Sequence, residues 1–150
     1  MTFLIRLFAT FLGTGYSPIA SGTVASALAA AIIWFLLPTQ SPWYVLGTIA
    51  VIPLAVPFCA VGEKFWNKQD ARQIVLDEAV GMAITYALMP KDWRLFIAGF
   101  LMFRAYDIVK IPPAGRAEKI KGGWGVLLDD VIVGIYANAG LWIIRWFIRI

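Results

Sequence analysis

Residues 43–62, WYVLGTIAVIPLAVPFCAVG, are twenty consecutive positions without a charge. About 20 apolar residues are what a helix needs to cross the hydrocarbon core of a bilayer. In hydrocarbon every backbone N–H and C=O must be bonded internally, which leaves helices or closed barrels. A barrel would show short segments of alternating polarity, whereas the apolar stretches here are long runs. Composition points the same way: 61% of residues are hydrophobic and 15% charged, against about half and a quarter in a soluble domain. The expected class is therefore all-α, an integral membrane helical bundle forming one domain over residues 1–150. It should hold about five membrane-embedded helices plus a short N-terminal amphipathic helix.

Crossings are expected at 23–37, 43–61, 76–89, 93–106 and 129–147, with Pro53 and Pro57 kinking the second. The opening MTFLIRLFATFLGTG carries Arg6 inside its apolar part and no convincing cleavage site, so it reads as a mature helix and not a signal peptide. Cys59, the single cysteine, lies in an apolar run and cannot form an intrachain disulfide. The net charge of +4 needs no nucleic acid to explain it; cations at the cytoplasmic face, which also attract anionic lipid, suffice. With the N-terminus inside, that face holds Arg6, Lys64, Lys68, Arg72, Arg104, Lys110, Arg116, Lys119 and Lys121. The outer face holds only Lys91, Arg94, Arg145 and Arg149, which favours N-in and C-out. Trp43, Tyr44, Trp93, Trp142 and Trp146 then fall near the outer interface. Residues 63–72 read as a solvated or interfacial helix face, Glu118 with Lys119 and Lys121 as loop charge, and Arg145 and Arg149 as interface anchors. Oligomeric state is not legible.

This topology brings four distant segments to one depth. They are the loop GTGYSPIASGT at 13–23, the doublet Asp77–Glu78, the pair Asp107 and Lys110, and the doublet Asp129–Asp130. Arg104, Asp107 and Lys110 recur every third residue, so successive members are neighbours on a helix surface. Gly81 and Gly134 each lie four residues beyond an aspartate, Asp77 and Asp130. Small residues let helices approach closely, so the two acid-bearing helices are expected to cross there. A lone acid at a helix start usually caps it or meets its dipole. Two doublets at one face ask for more, because like charges repel unless cations neutralise them. Oxygen-only ligands suit a hard ion such as magnesium, and the absence of histidine argues against the usual zinc sites. The loop glycines are either turn formers or, interleaved with Thr14, Ser17, Ser21 and Thr23, an oxyanion cradle.

The absences narrow the chemistry. Without histidine there is no histidine-based lipid phosphatase and no Ser-His-Asp hydrolase. A cysteine phosphatase needs an arginine at a fixed spacing after the thiolate, where Phe65 stands. Asp129 and Asp130 are adjacent and do not match the D-x-D of aspartyl phosphatases. For a phosphate ester this leaves metal-assisted hydrolysis, with carboxylates on the ion and lysine or arginine on the phosphate.

The blocks GTGYSPIASGT, IVLDEAVG, FRAYDIVKIPP and GGWGVLLDDVIVGIYA occur in that order over nearly the whole chain. In them the sequence resembles the phosphatidylglycerophosphatase A family, bacterial enzymes of phospholipid biosynthesis. The family often has proline where Ser21 and Ile111 stand, but all the acids are present. The resemblance implies magnesium-dependent hydrolysis of phosphatidylglycerophosphate, an anionic phospholipid, to phosphatidylglycerol and inorganic phosphate. It implies a multi-pass protein of the bacterial inner (cytoplasmic) membrane with its site at the cytoplasmic face. By that resemblance Asp77, Glu78, Asp129 and Asp130 are metal residues, and Asp129, Asp130, Asp107 and Lys110 catalytic ones. Ser21, Thr23, Arg104 and Lys110 are then phosphate-binding residues. Attack by water and attack by Asp129 or Asp130 to give an aspartyl-phosphate both stay open. The alternatives are a cation transporter whose acids line an ion path, or a structural membrane subunit with capping acids.

Overall fold

The computed structural model describes residues 3–117 and 119–148; Glu118 and Arg149, expected as loop charge and interface anchor, lie outside the described residues. The chain forms α1 (Phe3–Ala9), a 3₁₀ turn (Thr14–Tyr16), α2 (Ser21–Leu36), α3 (Pro42–Trp66), α4 (Leu76–Thr85), α5 (Trp93–Val109), α6 (Ala114–Ala117) and α7 (Gly123–Ile148). No strand occurs among the described residues, so the all-α expectation holds.

Local chemistry sets the boundaries. Ser41 accepts a hydrogen bond from the Trp43 N–H with Pro42 at the first helical position, a start signal for α3. Asp92 caps α5 by accepting from the Arg94 N–H, and hydrogen bonding from the Arg94 side chain holds its carboxyl below the usual range. Asn67 in the left-handed conformation ends α3. The helix expected over 63–72 therefore stops at Trp66, and Glu63 turns back to accept from the Asp70 N–H at 3.0 Å. The 13–23 loop is shorter than expected too, since Ser21, Gly22 and Thr23 form the first turn of α2.

Length does not confirm all five crossings. Among the described residues only α3 and α7, of 25 and 26 residues, are long and apolar enough to span a bilayer. The 76–89 crossing is the clearest departure. With ten residues, α4 is about 15 Å long, half the ~30 Å hydrocarbon core. Its end is fixed from α7, where the Asn138 amide donates to the carbonyls of Thr85 at 2.9 Å and Ala87 at 2.8 Å. These are carbonyls that a helix terminus leaves unsatisfied.

α7 is the central element, packed against α3, α4, α5 and α6. Its crossing with α4 lies at the expected glycines. A Cβ on Gly134 would stand 2.6 Å from the Gly81 carbonyl oxygen, and one on Gly81 2.9 Å from that of Asp130. At one end of the bundle α1 packs on α3, with Arg6 5.0 Å over the Phe65 ring and Phe8 5.2 Å from Phe58. The same end collects the starts of α2, α4 and α7. At the other end the Thr39 hydroxyl donates to the Met89 carbonyl at 2.6 Å and ties two turns together.

Because the obstruction at Gly134 is backbone, Gly134→Ala should destabilise the protein by about 1–3 kcal/mol, the usual cost of overpacking. Gly47, also helical, has open space where a Cβ would stand, with nothing within 4 Å, so Gly47→Ala should be neutral or mildly stabilising. Thermal unfolding of both variants in detergent checks the contrast.

Candidate active site

The site is built from α7 outward. The last crossing is expected from residue 129, yet α7 begins at Gly123. Asp129 and Asp130 therefore sit in its second turn, roughly 10 Å along the axis from its start, rather than at its mouth. Glycine disfavours helix by about 1 kcal/mol, which makes GGWG read as loop. Packing overrides that preference: a methyl at Gly123 would overlap the Val56 carbonyl oxygen, so only glycine lets α7 start against α3.

α4 begins at Leu76, which places Asp77 and Glu78 in its first turn, and the α4–α7 crossing carries Asp77 to Asp130. Asp77, Asp129 and Asp130 are 6%, 7% and 3% exposed, so these are interior carboxylates. One oxygen each from Asp77, Glu78 and Asp130 lie within 4.8 Å of one another. A second group, Asp107, Asp129 and Asp130, meets the same limit, and Asp130 belongs to both.

Cations border the second group. Arg104 Nη1 donates to Asp107 Oδ2 at 2.7 Å along α5. Lys110 closes α5 in a left-handed conformation and reaches across to α7, donating from Nζ to Asp129 Oδ2 at 3.2 Å. The Asp130 N–H donates to Asp129 Oδ1 at 3.1 Å. In the first group Asp77 Oδ1 and Glu78 Oε2 are buried and accept no hydrogen bond, and the buried Arg104 Nε–H donates none. Leaving a buried acceptor unmade costs about 1–3 kcal/mol, more for a charged group. A divalent cation bound there would remove that cost, and an all-oxygen donor set is what magnesium takes. The residues present fit such an ion.

The first turn of α2 closes the site. A methyl at Gly22 would overlap Glu78 Oε1 and stand 3.3 Å from Arg104 Nη1. The loop hydroxyls are otherwise engaged. Ser21 donates to the Arg72 carbonyl at 3.0 Å, Thr14 to those of Phe11 and Thr10, and Ser17 to that of Ile19. Arg72 returns two hydrogen bonds to the carbonyls of Ser17 and Pro18, pinning the loop. Thr23 is half-buried on the same turn as Gly22. Sequence reasoning named Ser21 and Thr23 but passed over Gly22 between them, as well as Arg72 and Asn138. For Gly22 the signal was its place within the loop glycines; for Arg72 and Asn138 there was none.

Comparisons with known proteins supply the family. The sequence profile of Phosphatidylglycerophosphatase A matches residues 7–145. A protein of Bacteroides thetaiotaomicron named putative phosphatidylinositol-3-phosphatase is 38% identical over 98% of this chain and 97% of its own length. Phosphatidylglycerophosphatase A of Escherichia coli is 37% identical over 93% of this chain and 82% of its own. That of Haemophilus influenzae is 30% identical over 95% and 90%. No solved structure matches the chain. With the profile covering nearly the whole chain and every acid of the four blocks gathered at one site, the chain belongs to the phosphatidylglycerophosphatase A family of membrane phosphatases.

Proposed function

We propose that the protein hydrolyses the terminal phosphomonoester of phosphatidylglycerophosphate, giving phosphatidylglycerol and inorganic phosphate, with magnesium as its cofactor. The observation that carries this is the pair of carboxylate groups sharing Asp130, bordered by Arg104 and Lys110. Asp77, Glu78 and Asp130 would hold the ion, because that group contains the buried acceptors without hydrogen bonds. Asp129, which groups with Asp130 on the other side, would complete the set. When bound, magnesium polarises the phosphate and offsets the charge of the acids.

The chain's own residues do the rest. Arg104 and Lys110 bind the phosphate oxygens and offset the charge that develops on them, and Thr23 at the first turn of α2 adds a hydroxyl. Ser21 acts there by holding that turn against the Arg72 carbonyl. A water attacks phosphorus in line; its proton passes to the Asp107 carboxylate, the member of the second group not assigned to the ion, as the new P–O bond forms. The bond to the glycerol oxygen breaks, and the alkoxide takes a proton from solvent. The substrate keeps its acyl chains in the bilayer and offers its headgroup at the acid-bearing end. The excess of cations at that end supports a cytoplasmic orientation for it, in the inner membrane of a bacterium, with several helices crossing.

Two other classes fit less well. A transporter asks for acids along a path near the midplane, and a structural subunit asks for acids with hydrogen-bonded capping roles, which Asp77 and Glu78 do not all fill. Purified protein should release phosphate from phosphatidylglycerophosphate with magnesium and not after chelation. Asp130→Asn, nearly isosteric, should lower kcat at least a hundredfold with the protein still folded. Phosphatidylinositol 3-phosphate is the comparator that the Bacteroides relative's name supplies; faster release from it would reassign the substrate, and no release from either would refute the proposal. Single turnover in heavy-oxygen water should put label in phosphate alone. Label in an Asp129 or Asp130 carboxylate would replace direct water attack by an aspartyl-phosphate.

A further inference from the structure

α2 and α5 run antiparallel, in contact at both ends. At the site end Gly22 lies against Arg104, and at the far end the Trp34 ring meets Phe96 edge-on at 4.7 Å. Between these contacts lies a cavity of about 400 Å³, within the range of ligand clefts. Ala27, Ala30 and Ala31 of α2 form its shallow side, and Ile97, Phe100 and Leu101 of α5 its other wall. Its floor is Tyr86, fully buried, stacked on Phe96 at 4.0 Å and donating its hydroxyl to the Phe96 carbonyl at 2.6 Å. A floor held on two sides does not collapse into the gap.

We propose that this groove seats an acyl chain of the lipid whose phosphate is cleaved. The proposal rests on the phosphatase reading and adds where the rest of the substrate lies. Its warrant is alignment. Ala27 is four residues, one helical turn, beyond Thr23, and Leu101 is three before Arg104. The groove thus begins roughly 6 Å from the phosphate-binding residues and runs about 12 Å away from them at 1.5 Å per residue. Polar head and apolar tail of one molecule find their partners in that order. A second apolar cavity, about 380 Å³ between α2, α3 and α4, lacks this continuity. On α4 it is lined by Leu76, Ala79, Val80 and Ala83, and at 100° per residue these fall on the face away from Asp77, Glu78 and Gly81. The helix itself stands between that cavity and the acids.

The test fills the groove without touching the core. Ala27 and Ala31 are exposed along it, so Ala27→Phe and Ala31→Phe narrow the groove separately. Phosphate release is measured with magnesium on phosphatidylglycerophosphate bearing long acyl chains and on the same headgroup bearing butanoyl chains. Each variant should raise KM for the long-chain lipid about tenfold and leave the short-chain lipid unchanged. Leu46→Phe, at a lipid-facing position on α3 that is 56% exposed, should change neither. A lipid with a photoactivatable tail should cross-link to α2 or α5 in the unsubstituted protein and much less in Ala27→Phe, a readout independent of turnover. Unaltered kinetics and cross-linking in both variants would overturn the proposal. So would an equal loss on both substrates, as a structural lipid or a second copy of the chain in the groove would give. If the unsubstituted protein releases phosphate from neither lipid, the phosphatase reading itself fails, and the groove assignment falls with it.

Discussion

The close approach of α4 and α7 at Gly81 and Gly134 is the contact on which the rest of the molecule depends. The two helices start at the same end of the bundle, so one turn back from that contact Asp77 meets Asp130. A side chain at either glycine would strike main chain or the Phe103 ring. It would part the helices at the level where the two carboxylate groups share Asp130. The Asn138 hydrogen bonds to the end of α4 fix the register of the same pair of helices. Packing and chemistry are thus one constraint: the helices have to touch for the acids to converge.

That convergence is electrostatically unfavourable by itself. Asp77, Glu78, Asp107, Asp129 and Asp130 face two nearby cations, Arg104 and Lys110. At an effective dielectric of about 20, two like charges 4 Å apart repel by about 4 kcal/mol. Arg104 and Lys110 each engage one member of the second group, whereas the first group keeps two buried oxygens unsatisfied. A fold that merely needed helix caps would have no reason to keep both. On the proposed function, that asymmetry is why the cation is sought at the first group and the phosphate near Arg104 and Lys110. The groove between α2 and α5 leads to that same neighbourhood.

Much of this was legible in the sequence, for identifiable reasons. The acid doublets stand out against apolar surroundings, and a glycine one turn beyond each aspartate announced the helix crossing. Arg104, Asp107 and Lys110 announced one face of α5, though Lys110 turned out to serve α7. What failed were judgements in which local propensity lost to packing. Gly123 and Gly125 read as loop but start α7 against α3. The polar run after Trp66 reads as helix but breaks at Asn67. The stretch to Met89 reads as a span but ends at Thr85, where Asn138 takes its carbonyls. Of the two readings of the 13–23 loop, turn formers or an oxyanion cradle, the first fits Thr14, Ser17 and Ser21, which spend their hydrogens on main chain. Long-range partners such as Arg72 leave no mark in a single sequence.

The central claim is that the carboxylates around Asp130 form a divalent-cation site. Manganese, a spectroscopic substitute for magnesium at oxygen sites, measures it without turnover. Titrated into the purified protein and followed by electron paramagnetic resonance, it should bind saturably, be displaced by magnesium, and raise the unfolding temperature as a native-state ligand does. Asp130→Asn should weaken that binding at least tenfold. Manganese that binds the unsubstituted protein no better than the Asp130→Asn variant would contradict the account.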